Sequence, residues 1–150
     1  MLLAGLFGTT VMTTFSYALS YLEKKNFKEP ELLGLLIQRL PHNDSGKPNF
    51  LVGWALHYLL GCAWAAVYAE GLHMLRQKPT NKRALLFGLC GGAFGIITWK
   101  SLFKQHPNPP RLSYASFYRQ LFVAQVLFAV SASKAMAFLH EKASPEKALG

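Results

Sequence analysis

Cysteine is nearly absent from this 150-residue chain, and the two present, Cys62 and Cys90, lie far apart without a C-x-x-C partner. That spacing excludes a disulfide framework or a thiolate metal site, and both read as small buried residues of apolar segments. Acidic residues are also few, seven against 16 Lys and Arg. No Gly-rich phosphate loop or hydrolase elbow occurs. Histidine numbers five, but only His57 is deep in an apolar run; His73, His106 and His140 sit at segment ends or in connections. Haem ligation across a bundle needs two inward histidines at similar depth, which this pattern does not supply. A di-iron carboxylate site needs repeated Glu-x-x-His pairs, and Glu70-Gly71-Leu72-His73 is the single match. No metal, cofactor or catalytic set is therefore expected.

Charge is missing over long stretches. No charged side chain occurs from Met1 to Leu22, and apolar runs recur at 50–69, 84–99 and 120–133, with basic residues collected between them. About 20 helical residues cross a hydrocarbon core of about 30 Å. The sequence thus predicts an all-α integral membrane protein, one antiparallel four-helix domain with spans near 2–22, 50–73, 84–103 and 115–139. The first run lacks the basic flank of a secretory signal and ends in Tyr17 and Tyr21, so a retained helix is expected.

Between the first two spans, Leu32, Leu33, Leu35, Leu36, Ile37 and Leu40 form an apolar run too short to cross a bilayer. Glu29-Pro30-Glu31 resembles a helix start, with a fixed backbone angle and acidic groups near the positive end of the dipole. A short helix over 31–40, at the interface or folded against the bundle, is expected. The connection "RQKPTNKR" reads as a tight basic hairpin, and "KQHPNPPR" as a stiff turn. Eight basic residues in the first and third connections face six on the other side. Together with the lysines after the first span, this favours both termini outside the cytoplasm. The same residues are accounted for as span flanks, which removes the nucleic-acid reading of a net charge of +9. Asn43-Asp44-Ser45 fits a glycosylation sequon, relevant only in a secretory eukaryotic setting.

Small and polar residues trace one stripe on each helix. Gly5, Thr9, Thr13, Ser16 and Ser20 follow steps of four, four, three and four, and Gly53, His57, Gly61, Trp64 and Tyr68 repeat those steps. Gly88, Gly92 and Gly95 trace a shorter stripe on the third span, with steps of four and three. Small residues allow close helix approach in lipid, so these stripes are expected to face one another. His57 lies about 6 Å from mid-span by helical rise. A Thr or Ser hydroxyl of the first span is its expected partner, with proton relay or ligand binding as the competing role. Glu70 and Lys134 reach similar depth near one surface, where they either pair or snorkel separately.

The segments "AGLFGTTVMTTFSYALS", "EPELLGLL" and "GWALHYLLGCAWAAVY" resemble a family of uncharacterised four-pass bacterial inner-membrane proteins of about this length. The resemblance implies a cytoplasmic-membrane location and a four-helix bundle, and no activity. A packing or assembly component of a membrane complex, self-associating or joined to another membrane protein, is the first functional expectation. A small-solute or proton pathway around His57 is the second, and a small membrane enzyme whose catalytic set is not visible the third.

Overall fold

The computed structural model describes residues 1–40 and 49–143; the Asn43 sequon lies outside the described residues. Five helices occur among them: α1 (Leu2–Glu23), α2 (Glu29–Gln38), α3 (Phe50–Met74), α4 (Asn81–Gln105) and α5 (Tyr114–Ala143). The fold is all-helical, and α1, α3, α4 and α5 are each long and apolar enough to span a membrane. α4 begins three residues earlier than hydropathy predicts because Thr80, not an apolar residue, sets its start: the Thr80 side chain accepts from the Arg83 N–H at 3.4 Å. The short helix starts at Glu29, with Pro30 in its first turn.

Chain reversals follow local chemistry. α1 ends where Lys24 adopts a left-handed conformation, φ 52°. The Phe27 N–H then bonds to Ser20 Oγ at 2.9 Å, which turns the segment back along α1 and carries α2 into the end of the bundle. α3 ends in the same way at Arg76, φ 51°, and the Gln77 N–H closes on the Leu72 carbonyl at 2.8 Å.

The spans are adjacent in the order α3, α1, α5, α4, with α2 seated on α3 at one end. Glycines set these contacts. A Cβ on Gly5 would stand 2.7 Å from the Cys62 backbone, one on Gly88 2.8 Å from Val126 Cα, and one on Gly92 2.7 Å from the Phe122 ring. The glycine face of α4 is therefore used inside the chain, against α5. Gly95 is looser, with Gln125 at 3.7 Å. Gly92→Leu should then separate α4 from α5 and lower stability in detergent by about 2 kcal/mol. Leu89→Ile on the outer face should change little; equal tolerance at both positions would mean that α4 does not pack on this face.

The tight connection between α3 and α4 suggests neighbours packed along their length, and the structure differs. They meet through ring contacts, Trp64 on Phe87 and Phe94 at centroid distances of 5.7 and 5.3 Å. These rings hold the two backbones apart while the glycines of α4 turn to α5.

Candidate functional site

The matched stripes of α1 and α3 come together. Thr13 Oγ1 donates to the Thr9 carbonyl at 2.7 Å and lies 2.9 Å from His57 Nε2. A hydroxyl has one proton; with it on the shorter contact, to Thr9, Nε2–H is the donor and the neutral ring carries its proton there. Nδ1 is then an acceptor, with no hydrogen-bond partner among the described residues. Gly61 faces Thr9 so closely that a Cβ would collide with the threonine hydroxyl.

The other stripe positions separate by task. Gly53 seats α2: a Cβ there would overlap the Pro30 carbonyl and stand 2.6 Å from the Gly34 nitrogen. Tyr68 leaves the His57 level, bonding Ser133 on α5 at 3.2 Å and packing on Phe87 at 4.7 Å. Ser16 and Ser20 turn to α2 and its approach segment.

A cavity of about 160 Å³ lies between α1, α3, α4 and α5, toward the α2 end. Thr9, His57, Gly61 and Trp64 line it together with Glu29, Thr98, Trp99 and Gln125. α2 covers it at one end, and the Tyr68–Ser133–Phe87 layer lies toward the other. Leu60, Phe94 and Leu102 line it and are also exposed on the outside of the bundle, so it reaches the surface between α3 and α4. Such a space holds a single small ring. Its wall is mostly apolar, with the His57 Nδ1 acceptor and the hydrogen-bonding groups of Gln125 and Thr98, which have no partner among the described residues.

Glu29 is the residue sequence reasoning missed. Read in the sequence as an acidic group at the start of a short helix, it is 1% exposed. Its Oε1 accepts from Ser16 Oγ at 2.8 Å and from Gln120 Nε2 at 3.0 Å, and Gln120 Nε2 also donates to Ser16 Oγ at 2.6 Å. Burial pushes the Glu29 carboxyl up to about 7, against the smaller lowering effect of the hydrogen bonds from Gln120, its own backbone and Ser16. A signal did exist in the sequence: Gln120 is an amide within an apolar span, and it needs a partner.

Glu70 and Lys134 do not pair. Glu70 lies on the outer side of α3, its carboxylate 3.9 Å from His73 Nδ1, and Lys134 is exposed on α5, which is not a neighbour of α3 along its length. Both side chains are exposed and lie apart. Among the described residues, no group of three His, Cys, Asp or Glu side chains is placed to hold a metal ion.

No protein-family model, curated protein or solved structure matches the chain. The function must be read from the site itself.

The His57 bond can be tested alone. His57→Gln can present an amide N–H where Nε2–H stands and should keep most of the stability. His57→Ala removes the donor and should cost about 1 kcal/mol in detergent unfolding. Equal losses for both variants would show that ring packing, not the bond to Thr13, sets the role of His57.

Proposed function

We propose that the protein is a bacterial inner-membrane component that binds a small solute of mixed polarity in the cavity around His57, drawing it from the bilayer between α3 and α4. The observation that carries this reading is the polar inventory of that cavity: an imidazole acceptor, a glutamine amide and a threonine hydroxyl, none engaged by a described residue, in an otherwise apolar wall. A packed seam would leave few such groups unsatisfied, because unbonded polar groups are costly in a membrane interior. A neutral ring or short chain with one or two hydroxyl or carbonyl groups suits both the volume and the chemistry. Assembly of a membrane complex has less to act on, since the small-residue faces that suggested it are covered within the chain.

Tryptophan fluorescence tests this directly. In a Trp54→Phe background the remaining tryptophans, Trp64 and Trp99, both line the cavity. Bromophenol, a ring with one hydroxyl and a heavy-atom quencher, should quench them saturably in nanodiscs, and Gln125→Leu should weaken the binding. Quenching that rises without saturation, unaltered by Gln125→Leu, would reflect partition into lipid and reject the binding reading.

A further inference from the structure

We propose that Glu29 is a proton-binding site whose loaded carboxyl ties α2 to α1 and α5, and whose unloading opens the α2 end of the cavity to water. The hydrogen bonding around the carboxyl is lopsided. Both side-chain donors, Ser16 and Gln120, converge on Oε1, while Oε2 is buried beyond water contact with no partner among the described residues. A carboxylate shares its charge between both oxygens and would leave half of it bare at Oε2. A carboxylic acid fits this arrangement, with Oε1 as the carbonyl and Oε2 carrying the proton. Gln120 Oε1, one carbon from the bonded amide nitrogen, is the second buried oxygen without a partner, and it belongs to the same cluster.

Among the described residues, no cation is placed to neutralise an ionised Glu29. On its own element and the approach to it, Lys28 pairs with Glu31 at 3.3 Å and Lys25 with Glu23 at 3.0 Å. From α1 come the Ser16 hydroxyl and Tyr17, whose hydroxyl donates to Glu31 at 3.0 Å. Of the α3 residues on the shared cavity, His57, Leu60, Gly61 and Trp64, only His57 is titratable, and its one N–H is committed to Thr13. α4 contributes the apolar Trp99 and Leu102 at this end of the cavity, and α5 contributes Gln120, with Arg119 exposed on the other side of that helix. His106, after α4, holds the Leu36 carbonyl at the far end of α2. Ionisation therefore demands new solvation of Oε2, and water reaches that atom only when α2 or its neighbours move. The proton passes to that water as it enters and returns from it on reloading, so the exchange involves no other reactant.

α2 is a short helix outside the four spans, and besides the Glu29 cluster it is held by the buried Leu32 and Leu36, by the Tyr17–Glu31 bond, by backbone contact at Gly53 and by the His106 bond. It also places Leu33 on the cavity wall. The inference stands apart from the ligand reading, because it requires no occupant of the cavity.

Two readouts in nanodiscs test it. Infrared difference spectra between about pH 5 and about pH 9 should show a protonated-carboxyl C=O band that titrates near pH 7. The band should shift on ¹³C-glutamate labelling and be absent in Glu29→Gln. In a Cys62→Ala, Cys90→Ala background, Leu33→Cys should react with a water-soluble thiol reagent about tenfold faster at pH 8 than at pH 6, after correction for thiolate content. Added Glu29→Gln should abolish that pH dependence. A carboxyl band confined to the ordinary carboxylate range, or a corrected thiol rate indifferent to pH, would overturn the proposal. So would a midpoint that falls on exchanging choline for sodium, which would make the guest a metal cation.

Discussion

Wild-type protein should lose on the order of 3 kcal/mol of unfolding free energy as the pH rises from about 4.5 to about 7, and Glu29→Gln should not. The sign follows from the direction of the shift. The Glu29 carboxyl is raised in the folded state to about 7 from an ordinary 4.5, chiefly by burial. Between those values the folded chain holds a proton that the unfolded chain releases, so folding is favoured by acid. The contribution is complete below about pH 4.5, falls through the interval, and is gone above about pH 7. Glutamine resembles the neutral acid in shape and bonding, so the variant should show a flatter profile and be the more stable protein at pH 8. Subtracting the two profiles removes the exposed histidines and carboxylates common to both. Denaturant unfolding in detergent at a series of pH values measures this, and parallel profiles would mean that Glu29 is hydrated.

Replacing Gly53 with alanine should destabilise the bundle by about 3 kcal/mol and release α2 from α3. The added methyl would meet backbone atoms, the Pro30 carbonyl and Gly34 N and Cα, which cannot rotate away. Gly71→Ala is the matched control on the same helix. Nothing lies within 4 Å of a Cβ at that position, and alanine is the better helix former, so stability should hold or rise by up to about 1 kcal/mol. Loss of the α2 contact should also expose Glu29 and return its titration toward the ordinary range. Similar stabilities for the two variants would show that α2 does not press on α3 at Gly53.

The four spans were legible because a bilayer imposes a length and an apolar composition that few other structures share. The α1–α3 seam was legible too. Identical steps of small and polar residues on two consecutive spans marked the two faces and made a Thr or Ser hydroxyl of α1 the expected partner of His57, while its identity, Thr13, depends on register. The α4 glycine face could be recognised as a contact surface, but its partner could not, because a stripe of glycines does not say which helix fills it. The gap between α3 and α4 depends on four aromatic rings, Trp64, Tyr68, Phe87 and Phe94, whose positions along two helices only register can relate. Glu29 was hidden for a different reason. It sits in "KKNFKEPE", where local charge suggests solvent, while its burial comes from a reversal set by Ser20 and from Gln120, far away in the chain. Glu70 and Lys134 share a depth but not a face, and depth alone was visible.

The central claim is that His57 borders a cavity open to small molecules, rather than a closed packing seam. Water-edited solid-state NMR on ¹⁵N-histidine protein in lipid, with His57 assigned by His57→Gln, addresses it most directly. The expected result is a neutral ring protonated at Nε2 and bonded to Thr13, with an unprotonated Nδ1 that receives magnetisation from water or from an added small solute. Two His57 ring nitrogens that receive none from either source would contradict it and return the seam to a purely structural role.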